Sequence, residues 1–278
     1  MARTKWTAAL LLTVMVFAGG CGKNGEQVLA AAGDATAQAG TSRMSMTVSA
    51  EPDSSTATTA AGGAPAFEIK AEGLINYETG HGIMTMDMGA LGIPGAPAGD
   101  AEMRMLGSVV YMKMPGSELG NRPWIKFDLE ALGESGAPVP SLNPASNDPR
   151  GVLDALRGVS GEVQEVGEQS VRGVATTHYR ATVDLEKAQD EVPKERRDDF
   201  AAFSEQLGIE ELPIDVWVDE EGRARRFAYE VETPAAGGTP ASQVDLVIEL
   251  FDFGVDVEVK APPESEVTDY GEEIEPAG

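Results

Sequence analysis

Cysteine is almost absent: Cys21 is the only one in 278 residues. No intrachain disulfide can form, and no metal site can be built from cysteine pairs. Histidine is nearly as scarce, with His81 and His178 alone. Neither has a second ligand at the spacings that zinc sites use. Positive charge is also short, with 21 Lys and Arg against 46 Asp and Glu and a net charge of −25. Such a chain repels nucleic acid and anionic headgroups and offers no basic patch to hold them. The longest apolar run, Trp6 to Phe17, falls short of the roughly 20 residues that cross a bilayer as a helix. Motifs of covalent catalysis are missing too. The sequence contains no Gly-x-Ser-x-Gly elbow, no supported Ser-x-x-Lys and no phosphate-cradling glycine loop. These absences speak against an enzyme, and no cofactor is expected.

The first 20 residues have the form of a secretory signal. Arg3, Thr4 and Lys5 make a basic start, the apolar run follows, and Ala18-Gly19-Gly20 supplies the small residues of a cleavage site. Cys21 comes directly after them, which resembles the lipobox of bacterial lipoproteins. The match departs at Ala18, where that pattern has Leu or Val. The resemblance implies a diacylglyceryl group on the Cys21 sulfur and cleavage that makes the cysteine residue one. An ordinary signal with a free cysteine beside the cut is the other reading. Cleavage would also remove Arg3 and Lys5, making the mature chain more acidic still. Electrostatics would then not fasten it to a membrane, so a covalent anchor has a physical purpose. The expected location is the extracytoplasmic face of the cell membrane, lipid-anchored.

Residues 21–42 read as a lipidated tether and an N-terminal helix, with Val28, Leu29, Ala32 and Ala35 at helical spacing and Gly40 as the stop. Period-2 alternation follows in several segments. Met44, Met46 and Val48 alternate with polar residues, as do Phe67, Ile69 and Ala71, then Met84, Met86 and Met88. Met103 and Met105, Val110, Met112 and Met114, and Ile125, Phe127 and Leu129 continue the pattern. Residues 52–65, 89–99 and 133–149 read as loops, the last ending in an Asp148-capped, Pro149-led helix. Two strands, Glu162–Glu168 and Val171–Val183, are expected to join around Gln169-Ser170. A helix is expected from Leu185 to Leu207, then strands at Leu212–Val218, Ala224–Glu232 and Val244–Phe253. The acidic end from Glu264, residues 264–278, reads as frayed. Hairpin-linked strands with few helices predict an α+β fold on a large antiparallel sheet, with one domain over residues 43–263.

All eleven methionines except Met1 and Met15 lie between Met44 and Met114. Alternation directs them to one face of the sheet. Methionine is flexible and polarizable and adapts to shapes that rigid side chains reject. The stripe suits either a binding surface for alkyl chains or the filling of an irregular core. The candidate binding set is Met44, Met46, Ile69, Met84, Met86, Met103, Met105, Met112, Ile125 and Phe127. His178, on a strand, and Asp219-Glu220-Glu221, in a hairpin, are weaker candidates, read as a structural or exposed histidine and a solvated turn.

Three ordered blocks carry a further resemblance. Val171-Arg172-Gly173-Val174-Ala175-Thr176-Thr177-His178-Tyr179 runs on to Ala181-Thr182-Val183-Asp184-Leu185. Leu212 to Asp219 and Gly222 to Phe227 form the second block, and Phe251 to Val257 with Pro262-Pro263 the third. Together they resemble the actinobacterial LolA-like lipoproteins of the LprG/LppX type. The resemblance implies a half-open antiparallel β-barrel wrapped over helices, with an apolar cavity for acyl chains. It also implies a lipid or glycolipid partner and a role in lipid transport across the envelope. A scaffold or sensor lipoprotein, with a self-filled cavity and an acidic surface for a protein partner, is the alternative. An envelope hydrolase ranks third.

Replacing Cys21 with Ser is expected to release the protein from membranes or leave it unprocessed, as read by membrane fractionation and intact mass. A variant that stays with membranes at the mature mass would contradict the lipobox reading.

Overall fold

The computed structural model describes residues 24–52, 67–91, 99–116, 122–129, 131, 149–233 and 242–271. The signal, Cys21 and the expected loop at 52–65 (beyond Pro52 itself) lie outside them, as do residues 133–148 of the loop that ends in Asp148. Helix α1 (Gly25–Gln38) starts where Asn24 Oδ1 accepts a hydrogen bond from the Gln27 amide at 2.9 Å. It buries Leu29, Ala32, Gly33 and Thr36. Gly40, at φ +80°, turns the chain into the sheet.

Six strands follow in meander order: β1 (Thr41–Pro52), β2 (Phe67–Asn76), β3 (Gly82–Asp87), β4 (Asp100–Leu106), β5 (Val109–Lys113) and β6 (Trp124–Asp128). Helix α2 (Pro149–Ala155) leads to β7 (Val159–Val171) and β8 (Val174–Asp184). Helices α3 (Leu185–Glu191) and α4 (Arg197–Leu207) precede β9 (Glu211–Asp219), β10 (Ala224–Thr233), β11 (Ser242–Phe251) and β12 (Val267–Asp269). Among the described residues these strands form one 12-stranded sheet in the order β12-β6-β5-β4-β3-β2-β1-β11-β10-β9-β8-β7. It is antiparallel except at β12, and its two ends, β12 and β7, do not pair with each other. Two meanders, β1–β6 and β7–β11, are thus fused through the pairing of β1 with β11.

The helices occupy one half of this sheet. Helix α1 packs against β7, β9 and β10 and against α2, and α3 packs against β8. Phe200 and Phe203 of α4 are buried here, their rings 5.7 Å apart. Thr36 ties α1 to the sheet: its hydroxyl donates to the Ala32 carbonyl at 2.7 Å and accepts from the Ala224 amide at 2.9 Å. On the other half, the 3-10 turn Met88–Leu91 packs on β2 and β4.

Three local expectations are corrected. The β7–β8 turn falls at Arg172-Gly173 rather than Gln169-Ser170. Both turn residues have positive φ, +50° and +82°, the geometry of the type I′ hairpin that matches strand twist. Arg172 tolerates it while its guanidinium donates to Glu249 at 2.7 Å and lies 3.9 Å over the Phe251 ring. The helix expected over Leu185–Leu207 is two helices. Val192, at ψ 138°, cannot stay helical before Pro193. The end from Glu264 begins with an ordered segment instead of a frayed one. Val267 pairs with Trp124 and Asp269 with Lys126. Lys126 Nζ reaches Asp269 Oδ2 at 2.8 Å, and Tyr270 meets Phe127 with ring centroids 4.9 Å apart.

The approach of α1 to α2 depends on Gly33, where an added Cβ would sit 2.6 Å from the Leu153 carbonyl oxygen. Backbone cannot yield as a flexible side chain does. Gly33→Ala is expected to destabilise the protein by about 1–3 kcal/mol, seen as a lower thermal midpoint. An unchanged midpoint would contradict this helix contact.

Candidate functional site

The sheet register builds the methionine face. Residues directly opposite one another in an antiparallel pair share a face. Met44 pairs with Gly73, Gly73 with Met84, Met84 with Met103, Met103 with Met112, and Met112 with Ile125. One uninterrupted row therefore crosses all six strands of the first meander. A second row runs Met46–Ala71–Met86–Ala101, and a third runs Gly82–Met105–Val110–Phe127. Ile69, opposite Val48, belongs to the same face. Every residue of the candidate set thus lies on one side of the sheet. The methionines among them are buried, with Met44 at 1% and Met84 at 2% exposure, while Ile69 and Ile125 are partly buried against the core.

Small residues alternate with the methionines because the face is too crowded otherwise. A Cβ on Gly73 would lie 2.3 Å from the Ile83 carbonyl oxygen. One on Gly82 would lie 2.6 Å from the Met105 Cε methyl, so that methyl covers the glycine. Methionine side-chain ends fill part of this space beside branched residues such as Val110. Among the described residues they leave a small cavity of about 10 Å³. That is about what one water needs. Its walls are Met84, Met86, Met88, Met103, Met112 and Met114, with Ala101 and Glu102. Met88 and Met114 stand outside the candidate set, although they continue the same alternation in the sequence.

The weaker candidates take structural roles on the opposite face. His178 is 5% exposed and lies parallel to the Trp217 ring, 4.2 Å away and inclined by 6°. Its Nε2 is 2.5 Å from Asp215 Oδ1, a carboxylate that also accepts from Arg180 at 3.1 Å. Gln169 closes the group by accepting from Trp217 Nε1 at 2.7 Å. The acidic hairpin is not the solvated turn expected, because Asp219 is buried and held by arginines. Asp219 accepts from Arg225 Nε at 2.6 Å and from Arg223 through both its backbone amide, 2.8 Å, and its guanidinium, 3.1 Å. Both arginines stack on Phe253 at 4.7 Å. Among the described residues no group of three or more His, Cys, Asp or Glu could hold a metal ion. No helix among them is long and apolar enough to cross a membrane.

No family model matches the chain. It is 29% identical over 165 residues to an "Uncharacterized 31.2 kDa protein in rplA-rplJ intergenic region" of Streptomyces griseus, covering 57% of this chain and 52% of that protein. It is 26% identical over 178 residues to the "Putative lipoprotein SCO4650" of Streptomyces coelicolor, covering 62% and 52%. The chain spans about half the length of the curated relatives it matches. Among solved structures it is similar to the Mycobacterium tuberculosis lipoprotein LppX, with 13% identity, a TM-score of 0.49, and 84% and 97% of the two chains covered. It is also similar to LprF of Mycobacterium bovis, with 17% identity, a TM-score of 0.46 and coverage of 85% and 96%. A LolA superfamily protein of Nitrosomonas europaea follows, with 8% identity, a TM-score of 0.30 and coverage of 88% and 97%.

The paired carboxylates make acid stability testable. Burial would raise the carboxyls of Asp219 and Glu249, but hydrogen bonds and charge from Arg223 and Arg225, and from Arg226 and Arg172, hold both below their ordinary values. A depressed folded-state value stabilises the fold above the unfolded carboxyl pKa, and this is lost as pH falls through the folded value. Stability is therefore expected to decline below about pH 4. Asp219→Asn with Glu249→Gln should lower the urea midpoint at neutral pH and flatten that decline. An acid limb identical to wild type would contradict these pairings.

Proposed function

We propose that the chain is a membrane-anchored, extracytoplasmic lipoprotein that binds a hydrophobic ligand, a lipid or glycolipid, against the methionine face. The observation that carries this reading is the row Met44–Gly73–Met84–Met103–Met112–Ile125, continuous across six strands. In the proposed architecture the unclosed sheet curls into a half-open barrel of LolA-like form over its helices. Cys21 carries the anchor, in keeping with the lipobox and the lipoprotein name of the Streptomyces coelicolor relative.

The mechanism is non-covalent. Each buried CH₂ contributes about 0.8 kcal/mol relative to water. An acyl chain leaves an apolar bilayer for an apolar interior, so the exchange is close to neutral and reversible. Carriage between membranes needs that reversibility. The closed face opens by rotation about methionine torsions, since each side chain has three and a soft thioether. Helices reinforce the other half of the sheet, which keeps the fold intact while this half adjusts.

The alternative, a scaffold or sensor lipoprotein with an acidic surface for a protein partner, draws support from the small cavity. Among the described residues, the cavity has room for about one water and is nearly filled by its own side chains.

Replacing Met84, Met103 and Met112 together with Leu separates the readings. Leu and Met have similar volumes, so each change should cost less than about 1.5 kcal/mol. Uptake of a fluorescent fatty-acyl probe should fall because leucine is stiffer. Wild type that takes up no probe would overturn lipid binding. Unchanged uptake by the leucine variant would overturn the role of methionine flexibility.

A further inference from the structure

The apolar face continues beyond the methionine strands. Across the β1–β11 junction, Ile69 pairs with Val48, Val48 with Leu246, Leu246 with Tyr229, and Tyr229 with Ile214. Tyr229 is thus the one residue of this row with a polar atom. It is 7% exposed, while its neighbours Val48, Ile69 and Val231 are only partly buried. That contrast places Tyr229 where the apolar interior approaches an opening. Among the described residues its hydroxyl has no hydrogen-bond partner, and burial alone raises it above its ordinary value. It therefore stays protonated at neutral pH and is a hydrogen-bond donor. The oxygen is not fully enclosed, so the free hydroxyl can be reached by a ligand. The buried hydroxyls of Ser42 and Tyr77 on the first meander satisfy each other at 2.6 Å.

Resting on the proposed lipid-binding function, we propose that the Tyr229 hydroxyl is a ligand contact, donating a hydrogen bond to an uncharged oxygen of an acyl lipid, an ester carbonyl, whose hydrocarbon lies against the methionine face. The oxygen is uncharged because Ile214, Leu246, Val48 and Ile69 offer no counter-ion. The junction fits this division of labour. Row by row, Leu246–Val48–Ile69 lies next to Ile248–Met46–Ala71, which leads to Met86. A ligand with its carbonyl at Tyr229 would run its chain from β10 across β11, β1 and β2 into the methionine cavity. Tyrosine sets the register of the lipid, and the methionines accept varied chain lengths.

Tyr229→Phe removes only the hydroxyl. The probes are a pyrene-tagged fatty acid methyl ester and a pyrene-tagged alkane of matched length, titrated into wild type and variant. The Kd of the ester should rise roughly threefold to tenfold in the variant, the worth of one hydrogen bond, while that of the alkane stays the same. The thermal midpoint without ligand should be unchanged or higher, since no protein bond is lost. Equal loss for both probes, or no loss for the ester, would overturn the assignment of Tyr229 and leave lipid binding standing. A lower midpoint would also overturn it, by showing that the hydroxyl serves the fold. Wild type that binds neither probe would overturn the lipid-binding function itself.

Discussion

The pairing of β1 with β11 is the constraint on which the rest of the molecule depends. It runs from Arg43 opposite Phe251 to Pro52 opposite Ser242 and is the seam between two meanders made otherwise of sequential hairpins. Without it each meander would have another open edge, and neither has a complete set of layers. The first meander brings methionines and little helix, and the second brings helices and a conventional aliphatic and aromatic core. The seam joins strands close to opposite ends of the chain, so loop closure must precede the contacts that reward it. Thr41 reinforces it at one end, donating its hydroxyl to the Val255 carbonyl at 2.6 Å and accepting the Gly254 amide at its own carbonyl at 2.9 Å.

The two halves differ in how they fill space. Around α1 and α2, glycines permit backbone contacts too close for a side chain, and Phe200, Phe203 and Phe227 fill the interior with rigid rings. Such packing resists change in shape. In the first meander, Gly73, Gly82, Ala71 and Ala101 alternate with methionines, whose flexible ends occupy what the small residues leave. The interior is therefore stiff under the helices and compliant beneath the methionine strands. Such a gradient suits the proposed uptake of acyl chains of varied length.

The strands were legible in the sequence because each half-buried segment alternates strictly. Ser45 and Thr47 separate Met44, Met46 and Val48, and Thr85 separates Met84 from Met86. Strand register then follows from which side is buried. Features that depend on contacts distant in sequence were not legible. The turn at Arg172-Gly173 relies on Glu249 and Phe251, which a local reading does not bring near. The strand at Val267–Asp269 is short and sits among acids, so its composition resembles a frayed end until Lys126 and Phe127 are seen beside it. The helix break at Val192-Pro193 was available locally, but the charged run that follows it kept a helical look. Tyr229 carried no signal. Its strand alternates like any other, and only the register shows that its hydroxyl faces an apolar row without a partner.

Uptake of lipid by the methionine-lined interior is the central proposal. The most direct measurement is to purify the full-length protein from its own cells, extract it with organic solvent and quantify the released lipid by mass spectrometry, beside a sample hydrolysed to release any covalently attached acyl groups. The account predicts non-covalent acyl lipid in the extract at a substantial fraction of one molecule per protein. An extract with no non-covalently held lipid, from protein that remains folded, would contradict it.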